Sequence, residues 1–83
     1  MAFQIHYFAW LRERIGQSSE SYESKAKSVS ELLEELKARE ERYALAFSDT
    51  RALKVAVNQQ LSDFNAALQG DEEIAFFPPM TGG

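Results

Sequence analysis

The sequence predicts an α+β domain in which one sheet is covered on one face by a helix. Three observations predict it. Phe3, Ile5 and Tyr7 alternate with Gln4, His6 and Phe8, the period of a strand. A capped, amphipathic helix opens at Ser28. Two further alternating runs, Leu53 to Asn58 and Glu73 to Phe77, follow it. Strands on both sides of one strong helix are the pattern of a sheet with helical cover.

The elements follow in order. After the first strand, Ala9 to Ile15 reads as a short helix, with Gly16 as its C-cap. Ser18 to Ser24 is polar, with Tyr22 its only large apolar residue, and reads as a weak edge strand. Ser28-Val29-Ser30-Glu31 fits a capping box: the serine hydroxyl takes the Glu31 amide and the Glu31 side chain reaches back. Val29, Leu32, Leu33, Leu36 and Tyr43 follow at helical spacing and form one buried stripe. Glu31, Glu34, Glu35, Lys37, Arg39, Glu40, Glu41 and Arg42 read mostly as its solvated face. Ser48-Asp49-Thr50 marks a turn in an otherwise unpatterned stretch. Leu53, Val55 and Val57 then form a strand, Asn58-Gln59-Gln60 turns towards Leu61, and Gln69-Gly70-Asp71 turns into the last strand. There Ile74 and Phe76 share one face and Ala75 and Phe77 the other.

Composition excludes whole classes of function. A chain of 83 residues is one domain that buries only about 60–65% of its unfolded surface, so a large interior active site does not fit. A net charge of −4 argues against non-specific nucleic-acid binding, which needs a basic surface. The absence of cysteine removes disulfides, thiolate metal sites and a thiol nucleophile, and agrees with a reducing cytoplasm. No run approaches the roughly 18 apolar residues of a membrane span, and the N-terminus lacks a signal-peptide pattern. The expectation is a soluble, cytoplasmic protein. His6, the single histidine, reads as a surface residue. No metal-ligand cluster, nucleophile elbow or phosphate-cradling glycine loop is present. Glu34 and Glu35 have nothing apolar nearby to split their pKa values, so they make a poor acid–base pair.

The chain ends Phe76-Phe77-Pro78-Pro79-Met80-Thr81-Gly82-Gly83. Pro78 ends the strand and, with Pro79, gives a stiff, extended start. Gly82 and Gly83 supply the opposite, a flexible end without side chains. The expected organisation is a folded domain over 1–77 and a flexible tail over 78–83. From Pro78 the tail reaches about 20 Å at most. Taken alone, the terminal Gly-Gly also fits a frayed chain end.

The wider pattern resembles the small subunit of molybdopterin synthase, a ubiquitin-like sulphur carrier. The matching residues are Tyr7-Phe8-Ala9 with Arg12-Glu13 and Gly16; Val29 with Leu32; Val55-Ala56-Val57-Asn58-Gln59; and Gly70-Asp71-Glu72 leading into Ala75-Phe76-Phe77-Pro78-Pro79 and Thr81-Gly82-Gly83. The resemblance covers nearly the whole chain, and the last block is its most specific part. Gln69 and Met80 stand where the family often has Asp and Val; neither touches the Gly-Gly.

The resemblance implies a ubiquitin-like β-grasp fold, a mixed sheet covered on one face by the main helix. It implies that the Gly83 carboxylate is adenylated by a ubiquitin-activator-like enzyme that uses ATP. A sulphur donor protein then completes a terminal thiocarboxylate. The tail, Pro78 to Gly83, would enter the large synthase subunit, which converts cyclic pyranopterin monophosphate to molybdopterin in a heterotetramer. No cofactor or metal is expected on this chain, no nucleic acid or membrane as partner, and no catalysis by the chain alone. Parity places Phe8 and Phe77 outward on the uncovered sheet face, as a docking patch. Leu61 matches a hydrophobic interface position of the family. Arg12 either pairs with a partner carboxylate or forms a salt bridge within the domain. Two alternatives remain: a sulphur carrier for thiamine synthesis or tRNA thiolation, and a ubiquitin-like binding module that carries nothing.

Overall fold

The computed structural model describes residues 2–79. The N-terminal alternation forms β1, Ala2–Tyr7, which buries Phe3, Ile5 and Tyr7 and turns Gln4 and His6 to the other face. The polar run forms β2, Ser19–Glu23, antiparallel to β1 and at one edge of the sheet. Its charges and serines suit an edge, where unpaired backbone groups must stay in water. β3, Lys54–Val57, and β4, Gln60–Ser62, form a hairpin. Asn58 and Gln59 make its turn with φ of 51° and 68°, the left-handed pair that matches strand twist. β5, Glu73–Phe77, lies at the centre, parallel to β1 and antiparallel to β3, so the order is β2-β1-β5-β3-β4.

The helices cover one face. α1 is Trp10–Ile15 and ends at Gly16, whose φ of 92° is the left-handed C-cap. α2 is Val29–Arg39, with Val29, Leu32, Leu33 and Leu36 buried. Its Ser28 hydroxyl accepts the Glu31 amide at 3.2 Å, as a capping box requires. The Glu31 carboxylate accepts the Lys27 amide at 3.0 Å, one residue earlier than in the standard box. Tyr43 is buried but not on this helix. The chain turns extended at Glu40 and restarts as α3, Glu41–Ala46. One turn beyond Leu36 the stripe meets Glu40, a charge with nothing to gain from burial, so the apolar face lapses there. A short 3-10 turn, Thr50–Ala52, is capped by the Asp49 carboxylate and leads into β3.

Sheet and helices meet in one core. Tyr7, Phe47 and Phe76 are mutually in contact, with the Phe47 and Phe76 centroids 5.1 Å apart. Not all of the charge run is solvated face. The Glu35 carboxylate accepts the Tyr22 and Ser24 hydroxyls at 3.1 and 2.8 Å. Arg39 lies 4.8 Å from the Tyr22 ring and 4.7 Å from the Tyr43 ring, and donates to Glu20 at 3.0 Å. Glu35 is half-buried and Arg39 stays exposed, yet both find partners brought by distant elements.

Glu20 is the hub. Its side chain is 11% exposed. One carboxylate oxygen accepts the Tyr7 and Tyr43 hydroxyls at 2.6 and 2.8 Å, and the other accepts Arg39. Four elements (β1, β2, α2 and α3) are thereby tied at one carboxylate. Burial alone would raise the Glu20 pKa, but hydrogen bonds from Tyr7, Tyr43 and Arg39 outweigh it and hold the carboxyl below its ordinary range. Burial first, and then Glu20, push the Tyr7 hydroxyl far above its ordinary value.

A carboxyl whose pKa falls on folding stabilises the fold above its unfolded pKa. That stability is lost as pH falls through the folded value. Chemical denaturation is therefore expected to show stability declining below about the ordinary pKa of 4.5. Glu20→Gln is expected to cost about 1–3 kcal/mol near neutral pH and to flatten part of the acid decline. An unchanged acid limb in the variant would rule out Glu20 as its source.

Candidate functional site

The face of the sheet away from the helices is laid out by register. Leu61 pairs with Ala56, Ala56 with Ala75, Ala75 with His6, and His6 with Ser19, one row across all five strands. The next row towards the end of β5 holds Lys54 opposite Phe77. Phe8 follows β1 beside it, and its amide donates to the Phe76 carbonyl at 3.2 Å. Apart from the exposed Lys54, the face is therefore apolar towards the C-terminal end of β5. It is polar at the other end, where Gln4 pairs with Glu73 and Ser21.

Phe8, Ala9, Ala75, Phe77 and Pro78 line a depression of about 400 Å³ on this face. Phe8 is 49% exposed and Phe77 is half-buried. Small Ala75 forms the low ground between two large rings. Leu61 is 71% exposed; it shares the face but stands on the far edge strand, two strands from Phe77. Arg12 is on the exposed side of α1 and forms no ion pair among the described residues. Pro78 and Pro79 are half-buried, and with Trp10 and Ala52 they line a second depression of about 370 Å³. Met80, Thr81, Gly82 and Gly83 lie outside the described residues.

Two features that position this face escaped the sequence reading. The first is Ala9, whose φ of 54° and ψ of −133° are close to the first central position of a type II′ turn. The Leu11 amide closes that turn on the Phe8 carbonyl at 3.2 Å. An alanine carries no turn signal, whereas glycine there would have announced it. The second is Glu72, a buried carboxylate just before β5. It accepts the amides of Gln69, Gly70 and Asp71 at 2.6, 2.9 and 3.2 Å. Burial acts to raise its pKa, but these backbone donors outweigh burial and lower it. The run Gln69-Gly70-Asp71-Glu72 held the signal, since an acidic residue directly after a glycine turn can fold back onto its amides.

His6 lies at the polar border of the face, 35% exposed and 3.5 Å from Glu73. Among the described residues no group of three or more His, Cys, Asp or Glu is placed to hold a metal ion. No helix among them is long and apolar enough to cross a membrane.

This sheet order, with α2 packed on one face and an apolar patch on the other, is that of a ubiquitin-like β-grasp protein. A putative molybdopterin converting factor subunit 1 from Pyrococcus furiosus has the same fold, with a TM-score of 0.76 and 26% identity over 96% of this chain and 99% of that one. Subunits 1 and 2 of the molybdopterin-converting factor from Helicobacter pylori have been solved as a protein–protein complex. One chain of it matches with a TM-score of 0.66 at 22% identity over the full length of both, a likeness of fold. The chain belongs to the ThiS family, whose model matches residues 5–83. It is 38% identical over 80 residues to the molybdopterin synthase sulfur carrier subunit of Escherichia coli, covering 96% of this chain and 98% of that protein.

The strained turn yields a stability prediction. Ala9→Gly is expected to stabilise the chain by about 0.5–1 kcal/mol, and Ala9→Val to destabilise it by about 1–3 kcal/mol. Urea titration reads both. A destabilising glycine variant would mean that the turn carries no strain.

Proposed function

We propose that this chain is the sulphur-carrier small subunit of a molybdopterin synthase and that it catalyses nothing alone. The observation that carries the reading is the chain end: Gly82-Gly83 follows a last strand held at the sheet's centre, beside an apolar face. Near-full-length identity to a protein named as a sulfur carrier subunit supports it.

The chemistry asks little of the fold and much of the terminus. A free carboxylate is a poor acyl donor. Attack of the Gly83 carboxylate on the α-phosphorus of ATP, in an adenylating partner, expels pyrophosphate and gives an acyl-adenylate. Sulphur delivered at the sulphide level by a donor protein then attacks the acyl carbon, AMP leaves, and a thiocarboxylate, a soft nucleophile, remains. The chain has no cysteine, so the terminal carboxyl is the group that carries the sulphur. Gly82 keeps the approach narrow because it has no side chain. Pro78, Pro79, Met80 and Thr81 are the segment that the large subunit's channel would accept.

Phe8 and Phe77 are the anchors for the large subunit, with Leu61 extending the contact and Arg12 meeting a carboxylate on the partner. Docking energy from this body places the thiocarboxylate against cyclic pyranopterin monophosphate and makes the transfer effectively intramolecular. Two small and two large subunits form the complete synthase, in the cytoplasm. The chain binds no cofactor; ATP is consumed on the activating enzyme.

Incubation with activating enzyme, ATP and a sulphur donor is expected to raise the intact mass by the exchange of one oxygen for sulphur. The variant lacking Gly83 is expected to gain nothing while melting almost as the wild type does. Lysine-linked conjugates without the mass gain would contradict the reading. A loaded chain that delivers no sulphur to cyclic pyranopterin monophosphate in the presence of the large subunit would overturn the molybdopterin assignment alone. Phe77→Ala is expected to weaken large-subunit binding by about 10- to 100-fold in calorimetry, with little change in melting temperature. Equal binding by both chains would remove Phe77 from the docking face.

A further inference from the structure

The uncovered face of the sheet is electrically lopsided. At one end Ala2 stands opposite Glu23 and Gln4 opposite Glu73, so that end carries two carboxylates. At the other end Lys54 stands opposite Phe77, with Phe8 next to it across β1. Lys54 is the only lysine or arginine in any of the five strands. Cross-strand neighbours keep their Cβ atoms about 4.5–5.5 Å apart, so the Lys54 stem starts beside Phe77. The apolar end of the face therefore reads, in one row, as a cation and two rings.

The fold brings no counter-charge to this cation. Lys54 is exposed and forms no ion pair among the described residues. Val55 pairs with Ser62 in the hairpin, so Asp63 is the next residue on β4's path past Lys54. One Asp63 carboxylate oxygen accepts the Asn65 amide at 2.8 Å instead. Glu73 stands at the far end of β5 and lies 3.5 Å from His6. In water a lone ammonium is well solvated. Once an apolar surface closes over Phe8 and Phe77, the same ammonium loses part of its hydration, and an unpaired charge there opposes binding. Lys54 hinders docking unless the partner brings an anion to it.

We propose that Lys54 is a specificity-determining residue of the docking face: its ammonium pairs with a carboxylate that the large subunit sets into the apolar surface covering Phe8 and Phe77. The inference rests on the reading of this face as the large subunit's dock. The chemistry of the partner follows from charge. The chain carries −4 overall, so a strongly acidic partner is repelled, whereas a single carboxylate set among apolar groups is not. The same pair fixes orientation. Phe8 and Phe77 are alike in chemistry and adjacent, so rings alone accept an apolar surface in more than one direction. Lys54 lies on one side of them only, and Glu23 and Glu73 lie at the opposite end of the face. A partner seated the wrong way round leaves Lys54 unpaired or brings its own carboxylate towards these two. Arg12 stands apart from this role, because it is on α1 and not on the sheet.

The test is calorimetric titration of the full chain with purified large subunit at several salt concentrations. Lys54→Met keeps the stem and removes the charge, and is expected to weaken binding by about 10- to 100-fold. Lys54→Arg is expected to keep most of the affinity, and Lys54→Glu to lose more than Lys54→Met. Wild-type affinity is expected to fall more steeply with salt than that of Lys54→Met. All three variants are expected to melt close to the wild type, because the side chain is exposed. If the stem merely covers apolar surface while its ammonium stays in water, Lys54→Met binds as the wild type does, with the same salt slope. That result overturns the proposal. The partner's half of the pair is read by changing the large subunit's surface Asp and Glu residues to Lys one at a time. One such variant is expected to weaken the wild-type chain and restore Lys54→Glu; a scan without one overturns direct pairing. Phe77→Ala keeps the two readings apart. Weakening by Phe77→Ala with none by Lys54→Met removes the ion pair and leaves the docking face standing. No weakening by either, or no binding by the wild type, removes the face and the pair together.

Discussion

β5 enters the sheet between β1 and β3 and is hydrogen-bonded on both sides, in parallel to one and antiparallel to the other. Ile74 and Phe76 are fully buried beneath the helices, and each contributes about 1.5–3 kcal/mol through the apolar surface it removes from water. A slip of one residue would expose both and drive Glu73, Ala75 and Phe77 towards the core. The register is therefore locked by the core. Once Phe76 is fixed inward against Tyr7 and Phe47, Phe77 can only point outward. The chain then leaves the sheet at Pro78, in the middle of the apolar end of the uncovered face. The Glu72 carboxylate, which gathers three turn amides, fixes where β5 begins. The Ala9 turn fixes where α1 leaves β1. Between them they set both walls of the apolar depression.

This arrangement separates stability from chemistry. The helices and the inward rows of the sheet hold the fold, helped by Glu20, whose carboxylate is shared among four elements. The outward face carries Ala56, Leu61 and Ala75 in one row and Phe77 in the next, all outside the buried core. A carrier has to be recognised by an activating partner and by an acceptor, and it needs no reactive side chain of its own. A domain with a recognisable face beside its last strand meets that need. The energy of docking is then available to orient the terminal group.

Much of this was legible in the sequence, because period and parity report which way a side chain faces. Phe3, Ile5 and Tyr7, the Ser28 cap, the Gly16 C-cap and the outward direction of Phe8 and Phe77 all follow from local pattern. Neighbours across the sheet do not, since periodicity says nothing about which strand lies beside which. The mixed sheet came only through the resemblance, and the pairing of β1 with β5 had no signal in the sequence pattern. The charge run reads as mostly solvated and is mostly exposed. What its pattern could not show is that Glu35 and Arg39 meet Tyr22, Ser24 and Glu20 from elsewhere in the chain. The break at Glu40 was hidden because residues on both sides favour helix. Trp10 and Pro78 stand near opposite ends of the chain, and no local pattern joins them.

The central claim is that the uncovered face at the end of β5 is where the large subunit docks. Methyl NMR during titration with a large subunit tests it most directly. The account predicts that Ala56, Leu61 and Ala75 shift or broaden while Leu32, Leu33 and Leu36 stay in place. Shifts at Leu45 on α3 with none on the sheet would contradict it.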